Sequence, residues 1–198
     1  MSSRHIQTSF DKDITSIRER IVLMAEMVSN DLEETINAFA DRDEILAVES
    51  AAADDLINAS ERIIDELVVQ AVVRHQPMAS DCRELISALR ISKDLERIGD
   101  YAKNIANHST TLDQLELTGE EQRVIDLGHA VNTMLVEAIQ AYQERDTKLA
   151  QTIRQQDVDI DLLYSKIFED LLNISTQNGE FAPACTHLSL SLIHISEP

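Results

Sequence analysis

Apolar side chains recur at helical spacing along most of this chain, and few residues interrupt the pattern. The 198 residues include only four glycines and three prolines, so few positions force a helix to end. In the first segment the alternating three- and four-residue spacing of a bundled helix is followed by Ile14, Ile17, Ile21, Met24 and Val28. The sequence therefore predicts an all-α fold of antiparallel helices joined by short turns. The helices are expected at about residues 10–40, 43–74, 78–108, 119–143 and 146–177.

The chain also repeats itself at an offset of 103 residues. This shift places Arg42-Asp43 on Arg145-Asp146, at a predicted turn. The register then continues into the next helix, where Leu46-Ala47 falls on Leu149-Ala150. Apolar periodicity alone would not align such pairs across a turn. We therefore expect two tandem three-helix bundles, the first at residues 8–110 and the second beginning at residue 118.

One predicted helix carries a stripe of oxygen-bearing side chains. Glu96, Asp100 and Asn104 recur every fourth residue, and side chains at this spacing are neighbours about 6 Å apart on a helix. Two carboxylates this close repel each other unless a cation lies between them. Arg97, Lys103 or a metal ion would each meet that need.

Composition narrows the setting in which the protein works. The chain has 36 acidic and 17 basic residues, a net charge of −19, which disfavours binding to the phosphate backbone of a nucleic acid. Such a surface suits basic protein patches or divalent cations. No apolar run reaches the roughly 18 to 20 residues of a membrane span, and the amino terminus lacks the apolar core of a signal peptide. We expect no membrane insertion and a cytoplasmic location.

Motifs for catalysis are lacking in the sequence. It contains no glycine-rich phosphate loop, no nucleophile elbow and no Glu-x-x-His pair of the kind that diiron bundles use. The six histidines show no mutual ligand spacing, and Cys82 and Cys185 lie far apart. We expect a protein that is not an enzyme and carries no organic cofactor.

Two segments together resemble a known family. They are the turn Gln76-Pro77-Met78-Ala79-Ser80-Asp81 and the helix running from Leu95-Glu96-Arg97-Ile98-Gly99-Asp100 to Ile105. Both are similar to segments of the PhoU family, regulators associated with phosphate-specific transport. The resemblance implies a fold of two three-helix bundles and a cytoplasmic negative regulator of the phosphate-starvation response and of phosphate uptake. It implies an adaptor between the ATPase subunit of the phosphate ABC transporter and a sensor histidine kinase, and it implies homodimers.

The same resemblance implies metal binding through paired acidic motifs on the bundle surface. The residues that match a first site are Glu96, Asp100, Asp54, Asn58 and Asn104. The matches for half of a second site are Asp157 and Asp161. Oxygen ligands of this kind suit Mg, Mn or Fe rather than Zn.

Other interpretations of these residues stay open at this point. The acidic stripe could instead be a solvated face paired with Lys93, Lys103 or Arg97. Arg97 could pair with Asp94 or Glu96, or contact a partner protein. The alternative function is a metal-dependent enzyme acting on a phosphate-containing substrate.

The end of the chain departs from the family pattern. Residues 184–188 still resemble the start of a sixth helix, but the counterparts of Glu96 and Asp100 would fall at 199 and 203, beyond Pro198. Residues 189–195 begin with an alternation that favours a strand. We therefore expect a frame change or appended, non-native sequence after about Leu188, and the alternative is a genuine short carboxyl-terminal strand. Residues 118–178 would form a second repeat of two helices with an exposed apolar seam, and residues 179–198 an irregular tail.

Overall fold

The computed structural model describes the backbone of residues 2–41, 44–112, 115 and 118–196, and the side chains of 9–41, 54–112, 115 and 118–196. These residues form six α-helices, one short 3-10 turn at Gly179–Phe181 and no strand. The helices are α1 (Ser2–Asp41), α2 (Glu44–His75), α3 (Ser80–Leu112), α4 (Glu121–Glu144), α5 (Thr147–Gln177) and α6 (Ala182–Ser196). The predicted all-α class is confirmed. No helix in the described ranges is long and apolar enough to cross a membrane.

Local sequence explains where the helices of the second repeat begin and end. Arg145 has a φ of 53°, and its N–H bonds to carbonyls in the last turn of α4. Asp146 then caps α5, because its carboxylate accepts hydrogen bonds from the N–H groups of Lys148 and Leu149 at 2.8 and 3.1 Å. The Arg-Asp pair found by the repeat is therefore a turn signal. Its counterpart Arg42-Asp43 lies outside the described residues.

Thr118 and Glu121 form a capping box at the start of α4. The backbone N–H of Thr118 donates to the carboxylate of Glu121 at 2.7 Å, and the Thr118 hydroxyl lies 3.0 Å from the same oxygen. The helix begins at Glu121, two residues later than the sequence predicts.

Helices α1 to α3 pack together as one bundle and α4 to α6 as another, and the two bundles meet through α1 against α4 and α3 against α6. At the first contact the Ser29 hydroxyl donates to Oδ1 of Asn132 at 2.9 Å, and these two positions are 103 residues apart. Equivalent positions that face each other are what a local twofold axis produces. The internal repeat thus appears in three dimensions as two bundles related by an approximate twofold axis.

The structural prediction for the end of the chain, a second repeat of two helices followed by an irregular tail, is wrong. Residues 182–196 form a helix that completes the second bundle, so the second repeat does not stop at residue 178, and residues 182–196 are not an irregular tail. Cys185, Leu188, Leu192 and Ile195 follow a three- and four-residue spacing, and all four are buried. Burial of this face against α3, α4 and α5 outweighs the local strand preference.

The apolar seam expected on the second bundle is covered only in part. Ile167 and Leu171 in the C-terminal half of α5 are buried, whereas Leu163, one helical turn before Ile167 on the same side, is 37% exposed. Helix α6, which covers this seam, has 15 residues, whereas its counterpart α3 in the first bundle has 33.

Candidate functional site

The candidate metal residues lie where α2 crosses α3, and Gly99 sets the distance between these helices. A Cβ atom at position 99 would lie 2.9 Å from Cδ1 and 3.2 Å from Cγ2 of Ile57, closer than side chains normally pack. The missing side chain therefore lets α2 approach α3 directly at this point. This approach brings the acidic residues of α2 opposite the predicted stripe on α3.

Asp54 is the most buried polar member of this group. The residue is only 4% exposed, and its Oδ2 accepts a hydrogen bond from Nζ of Lys103 at 2.9 Å. Its other oxygen, Oδ1, is buried and receives no hydrogen bond from an N–H or hydroxyl group, and the group next to this carboxylate is the carboxyl of Asp100. A buried oxygen without a donor is costly, and it is the kind of atom that a cation or a proton would satisfy.

Asp100 lies next to Asp54, and negative charges surround its carboxyl group. Burial raises the pKa of the Asp100 carboxyl, and the negative charges of Glu96 and Asp54 and a hydrogen bond with Asp54 raise that pKa further. The positive charge of Lys103 lowers the pKa of Asp100. The predicted repulsion within the stripe is therefore present, and Lys103 supplies part of the compensating positive charge.

Glu96 belongs to a second group, about one helical turn away. Nζ of Lys93 lies 2.7 Å from Oε2 of Glu96 and 3.5 Å from Oε1 of Glu61 on α2. The pKa of Lys93 is raised, and the largest cause is its hydrogen bond to Glu96. The sequence-based set omitted Glu61, although it lies seven residues after Asp54 and shares its helix face.

The two amides of the predicted first site, Asn58 on α2 and Asn104 on α3, are half-buried. Among the described residues, no three His, Cys, Asp or Glu side chains are grouped as metal ligands. The structure therefore presents a cluster of four carboxylates whose charge is compensated in part by two lysines. The buried, donor-free oxygen of Asp54 fits a hard cation, and an ion bound there would take over the role of Lys103.

The second predicted site has carboxylates from one helix only. Asp157 and Asp161 are both exposed on α5. Helix α6 has no acidic residue in its sequence, so it offers them no carboxylate.

Arg97 has a local partner on its own helix. Its Nη2 donates to the Tyr101 hydroxyl at 2.8 Å, and its guanidinium carbon lies 5.7 Å from the centroid of the same ring. This contact holds the arginine along the exposed face of α3.

Neutralising Asp100 is expected to stabilise the apo protein. The pKa of Asp100 is higher in the folded than in the unfolded protein, so ionisation of this carboxyl lowers the free energy of unfolding at neutral pH. Below the unfolded-state pKa, Asp100 is protonated in the folded and the unfolded protein alike, and this cost disappears. Asp100→Asn should therefore raise the free energy of unfolding at pH 7 by about 0.5 kcal/mol, a small value because solvent screens the pair. The gain should shrink as the pH falls. Urea denaturation with EDTA at pH 7 and at pH 4 would measure it, and a gain that grows at low pH would contradict the assignment.

With the geometry established, the fold and site define a class: an all-helical protein of two tandem bundles whose polar cluster is built from carboxylates. The sequence profile of the PhoU domain matches residues 21–108 and 124–197, most of both repeats. The chain therefore belongs to the PhoU domain family.

Individual relatives agree with this assignment. A phosphate-specific transport system accessory protein PhoU homolog from Rhizobium meliloti is 30% identical over 189 residues, covering 95% of this chain and 80% of the relative. The homolog from Pseudomonas aeruginosa is 34% identical over 174 residues, covering 86% of this chain and 71% of the relative. These relatives are named as accessory proteins of phosphate-specific transport, not as enzymes, in line with the expectation drawn from the sequence.

Solved structures show the same fold. The crystal structure of PhoU from Pseudomonas aeruginosa is similar with a TM-score of 0.91 and 29% identity, covering 95% of this chain and 90% of that one. The phosphate transport system regulatory protein PhoU from Streptococcus pneumoniae has a TM-score of 0.81 at 22% identity, covering 94% of this chain and 91% of that one. The second likeness concerns the fold alone.

Proposed function

We propose that this protein is an accessory protein of a phosphate transport system that acts in the cytoplasm as a negative regulator of the phosphate-starvation response and of phosphate uptake. The observation that carries the proposal is the match of both repeats to the PhoU domain, together with relatives named as accessory proteins of phosphate-specific transport.

The proposed mode of action is that of an adaptor between the ATPase subunit of the phosphate ABC transporter and a sensor histidine kinase. Two features support it. The two related bundles present two similar but distinct surfaces, which suits a protein that contacts two partners. The net charge of −19 favours association with basic protein patches and speeds their encounter.

The adaptor proposal is tested with purified partners and in cells. We expect the protein to bind both the ATPase subunit and the kinase, and binding should weaken as salt is raised. Deleting its gene should switch on a phosphate-starvation reporter in phosphate-rich medium, and restoring the gene should silence the reporter. Failure to bind either protein, with an unchanged reporter after deletion, would reject the proposal.

Homodimer formation is a further part of the proposal. Its support is the exposure of large apolar side chains on the outer faces of α2 and α5, where Leu56 is 62%, Val73 is 72% and Leu162 is 66% exposed. Light scattering coupled to size exclusion should give twice the chain mass. Replacing these residues by serine should shift the protein to a monomer.

We also propose that the first site binds a hard divalent or iron-type ion, Mg, Mn or Fe, through Asp54, Asp100 and Glu96, with Asn58 and Asn104 completing the oxygen set. The support is the buried Oδ1 of Asp54 and the raised pKa of Asp100, both of which a cation would relieve. The ion would neutralise the cluster and orient α2 on α3. A contact of the exposed Arg97 with a partner protein beside this site is proposed as well.

The repeat offers a matched control for the metal site. Asp54→Asn with Asp100→Asn should lower bound metal, measured by elemental analysis after Mn²⁺ loading, by at least tenfold. Asp157→Asn with Asp161→Asn removes the same number of carboxylates from the exposed half-site on α5, and this variant should keep most of the metal. An equal loss in both variants, or no metal in the native protein, would show that the α2–α3 cluster is not the site.

A further inference from the structure

Where α3 packs against α6, one histidine of α3 meets two histidines of α6 that are distant from it in the sequence. His108 is on α3, and His187 and His194 are on α6. The ring centroid of His108 lies 5.4 Å from that of His187 and 5.7 Å from that of His194, on which it stacks. Because α3 belongs to the first repeat and α6 to the second, this cluster spans the boundary between the two bundles.

The closest contact in the cluster joins two ring nitrogens. Nδ1 of His108 and Nδ1 of His187 are 3.3 Å apart. A hydrogen bond between nitrogens of neutral rings needs one donor and one acceptor, and 3.3 Å is long for such a bond, since N–H···O bonds span about 2.7 to 3.2 Å. By contrast, two nitrogens bound to one tetrahedral ion at about 2.0 to 2.1 Å are about 3.3 Å apart. The pair therefore has the spacing of two ligands of one metal ion.

The environment of His108 suits the same role. A histidine must be unprotonated to bind a metal ion. Burial lowers the pKa of His108, and the neighbouring His187 and His194 lower that pKa further. The lowered pKa favours the unprotonated form of His108, and the spacing of the two Nδ1 atoms carries the argument. The acidic charge of the whole chain also favours the approach of a cation.

We propose that His108 and His187 bind a divalent transition metal ion of the zinc type and that this ion fastens α3 of the first repeat to α6 of the second. Since no larger set of metal-ligating side chains is grouped in the described ranges, water completes the coordination. Imidazole ligands suit Zn, Co, Ni and Cu, whereas the carboxylates between α2 and α3 suit harder ions. The proposal is independent of the proposed regulatory function and of the acidic site.

The test uses the full chain stripped of metal by a chelator and then titrated with Zn²⁺, and separately with Co²⁺ as a spectroscopic probe. At a hundredfold excess of free Zn²⁺ over the dissociation constant, the melting temperature should rise by about 5 to 10 °C. Co²⁺ should produce visible absorption bands of nitrogen coordination. His108→Ala and His187→Ala should each weaken binding at least tenfold.

Two variants serve as controls. His129→Ala removes a histidine on α4 that faces Glu33 outside the cluster, and this variant should bind zinc as the native protein does. The double variant Asp54→Asn with Asp100→Asn should also retain zinc binding, which separates this site from the acidic one.

A readout on the native protein keeps the test decisive even where a variant folds poorly. The ring signals of His108 and His187 in histidine-selective NMR spectra should shift on zinc addition, while the His129 signal should not. Unchanged signals of His108 and His187 at millimolar zinc would overturn the proposal, as would equal zinc affinity in folded His108→Ala, folded His187→Ala and native protein.

Discussion

Leu188→Ala is expected to lower the free energy of unfolding by about 2 to 5 kcal/mol. Leu188 is fully buried in α6, at the centre of the segment for which the sequence indicated an irregular tail. Truncation removes the packed side chain and leaves a cavity that the neighbouring helices fill only in part. For a chain of this length, the melting temperature should fall by about 5 to 15 °C. Urea denaturation followed by circular dichroism would measure both quantities.

A neighbouring leucine on the same helix provides the control. Leu190 lies two residues further along and is 37% exposed, so Leu190→Ala should cost less than about 1 kcal/mol. A large difference between the two variants is specific to a packed helix. If both variants instead changed stability by the same small amount, the tail would be irregular after all.

Ile57→Ala is expected to cost a similar amount, about 2 to 5 kcal/mol, and to loosen the contact that aligns the acidic cluster. Ile57 is fully buried and packs directly over the backbone of Gly99. Ile86→Ala is the control, because Ile86 is also an isoleucine but lies on the outer side of α3, where it is 46% exposed. Its cost should stay within about 0.5 kcal/mol. Equal losses from the two changes would contradict the packing of α2 on α3 described above.

A second substitution separates this packing from general destabilisation. In the native protein Gly99→Ala gains helix propensity of about 1 kcal/mol, but the new Cβ would press on Ile57 at 2.9 Å. In the Ile57→Ala variant that space is vacant, and Gly99→Ala should then stabilise by about 1 kcal/mol. The two substitutions should therefore be strongly non-additive in a double-mutant cycle. Additive costs would mean that Ile57 and Gly99 are not in contact.

The helical framework could be predicted because its signals are local. The three- and four-residue spacing of apolar side chains, the scarcity of glycine and proline, and the Arg145-Asp146 turn each act within a few residues of the chain. The strand expected for the tail is wrong for the same reason, since that expectation also used local signals alone. Residues 188–192 alternate like a strand when they are considered alone, and only the surface offered by α3, α4 and α5 selects the helix.

The candidate site was predictable along one helix but not across two. The spacing of Glu96, Asp100 and Asn104 predicted a shared face and a need for positive charge, while leaving the cation open. The structure places Lys103 on the Asp54 carboxylate and Lys93 between Glu61 and Glu96. No spacing rule could have brought His108 to His187, which are 79 residues apart and lie in different repeats.

The sequence by itself determined the helices, the repeat and the stripe of acidic side chains, because helix geometry converts an interval of four residues into a shared face. Only the tertiary structure decided which helix lies opposite that stripe and at what distance. Those contacts depend on how side chains of remote helices interlock, here through Gly99 against Ile57 and α6 against α3. The charge partner of Asp54, the fold of the tail and the histidine pair all follow from that packing.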